Sequence, residues 1–346
     1  MKLKFVYWFA FYNLDSPSVR NRGRYPIDLL KEKHGIGAYF VMPGYQPTYI
    51  LRFLCAYLSA LLFRKKDSLI VIQRVHSNFI YSNLLKLLIK IRPKNTVYDL
   101  DDADYLEHPP DRIYSFIRNC SMVTVGSNEL IKNLSHLNSS IVLNTSPTVN
   151  LGVAKSARNK VFTIGWIGCY GGGHKQSLSV QLFPVLKELS FNIRLVLLGV
   201  TQESEYDKLI NHFKDFEHIQ LEIPQNIDWR NEREVQQRIA EFDVGIATLL
   251  DDELHRCKSA FKAKQCLNNG VPVLSSNLPE NNLFVQSGKN GFLCSTPEDF
   301  KNRIIEIQTM EESQYSRLSE NAKVSAEEFS IAQYCEVLLS VYNQKH

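Results

Sequence analysis

Residues 258–273 read KSAFKAKQCLNNGVPV. Lys258, Lys262 and Gln265 recur at four- and three-residue spacing, so a helix places all three on one face. Gly270 can adopt the left-handed conformation that ends a helix, and Val271-Pro272-Val273-Leu274 then reads as a short buried strand. A helix whose first turn carries lysines suits an anion, because its leading N–H groups and its dipole already favour negative charge. The stretch predicts one helix-then-strand unit of an α/β protein, with a phosphorylated ligand at the helix start.

The same grammar extends outward in both directions. Strand candidates in the first half are 4–11, 38–42, 68–73, 96–99, 122–125 and 140–143, with helical patterns at 24–34, 49–63, 79–91, 111–119 and 128–134. A polar, weakly patterned segment at 144–160 reads as a linker. The second half restarts with strands at 161–167, 192–198, 219–222, 244–248 and 272–275, and helices at 175–189, 203–213, 230–241 and 259–268. Residues 297–344 read as helical. Strands alternating with helices predict largely parallel sheets, and 346 residues suffice for two such domains.

Composition narrows the class. Seven cysteines are scattered, odd in number and without a C-x-x-C pair, which argues for reduced thiols in a cytoplasmic protein and against a disulfide framework or a zinc site. The apolar start is aromatic and lacks a small-x-small cleavage site, so it reads as a first strand. The apolar run 49–63 is too short to span a bilayer and is interrupted by Arg52, which makes it a buried or interfacial helix. Residues 1–95 hold 16 Lys or Arg against four acids, a net +12, leaving −8 for the remainder. A basic first half predicts an anionic partner there, either anionic lipid headgroups or a phosphorylated acceptor. No nucleic-acid motif accompanies the charge, so nucleic acid is not expected.

Residues 161–175, VFTIGWIGCYGGGHK, run from a strand through a glycine-rich turn into a helix. Gly168 permits close backbone approach, Gly171, Gly172 and Gly173 can present N–H groups to phosphate, and Lys175 adds a cation beside them. A dinucleotide fingerprint competes for this pattern, but it needs an acid at the end of the next strand. That strand ends Leu197-Leu198-Gly199-Val200, without one. Residues 97–105, VYDLDDADY, are the acid-rich exception in the basic half and follow a strand, at the end where open α/β sheets expose their crevice. Asp101 or Asp102 there can serve as general base, hold a divalent ion, or cap a helix. His76 and His108 read as structural histidines.

Lys262, Gln265, Gly270, Pro272 and Val273, with the "IGWIG…HK" opening at 164–175, resemble the donor-binding segments of retaining GT-B glycosyltransferases, particularly glycosyltransferase family 4. Residues 241–252, EFDVGIATLLDD, and 281–293, NNLFVQSGKNGFL, resemble further segments of that family, the second a structural turn pair on Gly288 and Gly291. The resemblance spans nearly the full chain. It implies two Rossmann-like domains facing a cleft: residues 1–150 for the acceptor, residues 151–325 for the nucleotide sugar, and residues 326–346 as a C-terminal helix returning to the first domain.

The resemblance further implies a sugar transferred from a nucleoside diphosphate to a glycan or lipid-linked acceptor, in cell-surface polysaccharide synthesis at the inner membrane face. The donor would meet Gly168, Gly172, Gly173, His174, Lys175, Lys258 and Lys262, with its ribose at Gln265 and its base near Pro224. Arg20 and Arg22, in the loop after the first strand, would clamp an acceptor phosphate or carboxylate. Asp101 and Asp102 would act on the acceptor hydroxyl, and no cofactor or metal is expected, since lysines and a helix start can carry the leaving diphosphate. Many members carry two glutamates separated by seven residues where this chain has Cys257 and Gln265. Glutamine can still bond a ribose diol; cysteine cannot supply the first carboxylate. A non-catalytic binding subunit, or a nicotinamide-dependent oxidoreductase, is the alternative.

Overall fold

The computed structural model describes residues 2–64 and 66–343. Lys65, counted in the basic half above, and residues 1 and 344–346 at the ends of the two terminal segments lie outside it. The chain folds as two units, Met1–Pro147 with Cys257–Ser259 and Phe329–His346, and Thr148–Arg256 with Ala260–Glu328.

The first unit is built on strands β1 (Phe5–Phe9), β2 (Gly37–Val41), β3 (Ser68–Gln73), β4 (Thr96–Leu100), β5 (Met122–Val125) and β6 (Ile141–Leu143). They pair in parallel in the order β2-β1-β3-β4-β5-β6. β3 and β4 are buried at every position, as expected for strands covered by helices on both faces. The covering helices include α1 (Tyr25–His34), α2 (Pro47–Leu62) and α3 (Phe79–Ile91). α1 ends on Gly35 at φ 65, and α3 starts where the Asn78 side chain accepts the Tyr81 N–H. The C-terminal helix Ile331–Asn343 belongs to this unit: Tyr334, Leu338 and Val341 join a core with Val6, Trp8 and Leu30.

The second unit has strands β7 (Phe162–Ile167), β8 (Ile193–Leu198), β9 (Ile219–Glu222), β10 (Val244–Ala247), β11 (Val273–Ser276) and β12 (Gly291–Cys294). Their order is β12-β11-β10-β7-β8-β9, again all parallel. Counted from its own first strand this is 3-2-1-4-5-6, the dinucleotide-domain order, whereas the first unit follows the flavodoxin-like order. Each order reverses once, between β7 and β10 in one unit and between β1 and β3 in the other. Ligand crevices form at the carboxyl ends of the strands flanking such a reversal.

Two segments differ from expectation. Residues 291–294 form the edge strand β12, where a turn pair was expected, because the strand opens on Gly291 directly after Lys289-Asn290, a pattern that reads as a turn. Residues 148–160 lack helix and strand, yet Lys155 Nζ lies 2.8 Å from Asp243 Oδ1, both side chains buried, which pins that stretch to the second unit. Among the described residues no helix is long and apolar enough to cross a membrane.

Candidate functional site

The reversal in the second unit lies where the chain leaves β7 and β10. Gly168 leaves β7 at φ 154, and its N–H donates to Leu198 O at 2.9 Å. Gly199, at φ 108 after β8, packs on it so closely that a Cβ at 199 would sit 1.9 Å from Gly168 O. Neither position accepts a side chain, so the turn is a bare backbone surface. The helix Gly172–Ser177 then begins, and a Cβ at Gly173 would stand 2.4 Å from the His255 ring.

Lys262 comes from the helix Phe261–Asn268 and lies over this turn. A Cβ at Gly168 would be 2.6 Å from Lys262 Cε, so the lysine stem rests on the glycine backbone. Its Nζ is 3.0 Å from His174 Nε2 and 5.8 Å from the centre of the buried Trp166 ring. The residue before that helix, Ala260, has φ 54, a left-handed conformation costing about 1–2 kcal/mol for a residue with a Cβ. The chain turns sharply there, and the first N–H groups of the helix are left without intrahelical partners. His255 Nδ1 lies 2.7 Å from Asp252 Oδ2, and its backbone N–H donates to Asp252 Oδ1 at 2.8 Å. Partial burial raises the Asp252 carboxyl, but these bonds outweigh it and hold the group below the ordinary carboxylate range.

Gly168, Gly173, His174 and Lys262 are thus brought together, with Gly172 at φ 49 on the same turn. Other expected donor residues are placed differently. Lys175 Nζ is 2.6 Å from Glu205 Oε2, which also meets Lys208 through its other oxygen; hydrogen bonds from Lys175 and Lys208 lower the Glu205 pKa. Lys258 belongs to the first unit, where its Nζ is 3.0 Å from Asp102 Oδ1. Gln265 is half-buried on the Lys262 helix, and Pro224 is half-buried two residues after β9. Cys257 is buried in the first unit, its carbonyl accepting Ser127 Oγ at 2.8 Å and its Sγ 3.6 Å from Asn133 Nδ2.

The reversal in the first unit is charged. Arg74 leaves β3 at φ 50 and stacks 4.7 Å from the centre of the Phe11 ring, which follows β1. Its guanidinium reaches Asp104 (Nε to Oδ2, 2.8 Å), Asp101 at 3.2 Å and Asp102 at 3.4 Å. His76 is buried beside them, its Nδ1 3.7 Å from Asp104, its ring 5.1 Å from that of His108. Burial, and then the positive charge of Arg74, push His76 down to about 4. Sequence reasoning passed over Arg74, although its place directly after β3, like that of Asp101 after β4, was the available signal.

The side chains expected to meet the acceptor have partners within this unit. Asp101, 6% exposed, and Asp102 are ion-paired with Arg74, and Asp102 with Lys258 as well, so both carboxylates expected to act on an acceptor hydroxyl are engaged by cations of the same unit. Arg22 is fully buried: its Nε donates to Asp99 Oδ2 at 3.0 Å and its NH1 to Asn144 O at 2.7 Å, with the Tyr334 ring centre 5.3 Å away. Burial opposes its charge, but Asp99 more than compensates, holding the guanidinium above its ordinary pKa. Arg20 is buried too and donates to Leu14 O and Asp15 O at 2.6 and 3.0 Å. Both arginines fasten the loop after β1 and are committed before any acceptor arrives.

No protein-family model and no curated protein matches the sequence. Solved structures do. HepE of Anabaena in complex with UDP-glucose aligns with TM-score 0.69 at 13% identity, over 98% of this chain and 99% of that one. The chain adopts the GT-B fold. Sucrose-phosphate synthase of Thermosynechococcus elongatus aligns at TM-score 0.71 with 10% identity, and a glycosyltransferase of Rickettsia africae at 0.67 with 12%, each over 99% of both chains. In this GT-B chain the glycine turn after β7 and Lys262 occupy the crevice-forming reversal of the second sheet.

Proposed function

We propose that the protein is a glycosyltransferase that moves a sugar from a nucleoside diphosphate to a glycan or lipid-linked acceptor, with retention of configuration, in cell-surface polysaccharide synthesis. The observation that carries this reading is Lys262 resting on the bare backbone of Gly168 at a strand-order reversal. A diphosphate there gains one ammonium group and the leading N–H groups of the Phe261–Asn268 helix. Negative charge grows on the departing diphosphate during transfer, so these donors stabilise the transition state more than the bound substrate. With Asp101 and Asp102 ion-paired, the departing phosphate is the acceptor-side base. Gln265 would hold the ribose diol and backbone groups near Pro224 the base, with no metal or cofactor needed. HepE, a GT-B protein crystallised with UDP-glucose, supports this class of donor.

A thermal-shift screen of UDP, GDP, ADP, CMP and NAD tests the reading, since a ligand that binds only the folded state raises the melting temperature. A nucleoside diphosphate should stabilise the protein; stabilisation by NAD alone would overturn the proposal. Cys257, standing where a carboxylate is usual, favours a second reading as a non-catalytic binding subunit. Donor hydrolysis or sugar transfer by the purified chain excludes that reading.

A further inference from the structure

Helix α2 is apolar on two opposite faces. Phe53, Ala56, Tyr57 and Ala60 are buried in the first unit. Leu51, Leu54, Leu58 and Leu62 lie roughly half a turn around the helix and are 44–63% exposed. A helix that meets water carries polar residues on its outer face; an apolar outer face signals something that covers it. The stripe continues past the helix into Phe63, 75% exposed.

The neighbouring helix extends the surface. Ile91 at the end of α3 is 52% exposed, and Arg92 Nε donates to Leu61 O at 2.9 Å, tying the two helix ends together. Arg64 donates to Arg92 O at 3.3 Å across the same junction. The rim is basic: Arg64, Lys66, Lys90, Arg92 and Lys94 lie at or just beyond the two helix ends, and the one acid in residues 47–96, Asp67, is engaged by Lys4 at 3.3 Å. Lys66, Lys90, Arg92 and Lys94 are exposed there. Arg64 is pushed down to about 10 by burial and then by the charge of Arg92, as a locally positive field requires.

We propose that α2 and the end of α3 form a membrane-docking surface that lies flat in the headgroup region of a bilayer containing anionic lipid. The leucine stripe enters the acyl boundary while the basic rim meets lipid phosphates, the pattern of an interfacial helix. With 16 residues α2 is about 24 Å long, short of the ~30 Å needed to cross. Docking requires only residues of the first unit; its use, delivery of a lipid-linked acceptor, rests on the transferase reading.

Sedimentation of the full chain with vesicles tests this without any nucleotide present. Vesicles of equal parts phosphatidylcholine and phosphatidylglycerol should bind at least about tenfold more tightly than phosphatidylcholine alone, given several basic residues at the surface. Leu54→Gln/Leu58→Gln, at exposed positions that leave the fold intact by circular dichroism, should lose that binding. A polarity-sensitive dye on Cys55, on the same outer face, should shift to the blue on mixed vesicles, the other exposed thiol removed as Cys169→Ser. Absent binding, equal binding by the leucine variant, or a silent dye overturns the proposal. So does a dimer in solution that the leucine variant abolishes, which would assign the face to a second copy. Nucleotide binding measured separately stands or falls independently of these outcomes.

Discussion

The two sheets share strand number and direction but differ at the ends where their order reverses. In the first unit Arg74 is ringed by Asp101, Asp102 and Asp104, with Lys258 on Asp102. In the second, two glycines pressed together leave a side-chain-free surface under Lys262. Charges that compensate one another hold a shape; a glycine backbone at a strand-order reversal, with a lysine against it, offers N–H groups and an ammonium on one side. The difference teaches that a cluster of chemistry-bearing residues identifies a site only when its partners are known.

The largest expected effect would break the comparison on the first side. Arg22→Ala leaves Asp99 buried without its cation and should cost about 3–5 kcal/mol of stability, read by urea denaturation. A variant that keeps its stability but loses acceptor turnover would restore Arg22 as a ligand clamp. Gly168→Ala attacks the second side: its Cβ would strike Lys262 Cε at 2.6 Å and strain a backbone at φ 154. It should cost about 1–3 kcal/mol of stability and weaken nucleotide affinity together; calorimetry showing neither change would contradict the placement of the lysine.

A pH titration sharpens the picture of the first unit. His76, facing Arg74, Asp104, His108 and Arg112, has its pKa lowered from 6.5 to about 4, so the unfolded chain binds its proton more readily. Its contribution to stability is complete above pH 6.5 and is lost as the pH falls toward 4. The denaturation midpoint should decline over that window, and less steeply in His76→Asn; identical slopes would mean that His76 is not held neutral. The smallest effect distinguishes two lysines that look alike in sequence. Lys175→Ala should change nucleotide affinity by less than about 1 kcal/mol, since that lysine is a partly exposed partner of Glu205.

Much of the fold was legible because buried parallel strands carry apolar runs, such as residues 69–72 of β3 and 195–198 of β8, and because helix α3 repeats its apolar residues at three and four. β12 escaped because its first residue, Gly291, reads as part of a turn. Of the site, the glycine turn and Lys262 were readable, since glycine runs and lysine at a helix start have local physical meaning. Partnership was not: Arg22 finds Asp99 across 77 residues and Lys258 finds Asp102 across 156, distances that spacing along the chain cannot encode. Gly199 was passed over for the same reason, since its need for glycine arises from Gly168 on the neighbouring strand.

The central claim is that a diphosphate lies at the glycine turn beside the Lys262 ammonium. Calorimetric titration of a nucleoside diphosphate into wild-type protein and folded Lys262→Ala tests it most directly. Loss of a charge-assisted hydrogen bond should weaken binding by about 1.5–3 kcal/mol, roughly 10- to 150-fold. Equal affinity of the two proteins would contradict the account.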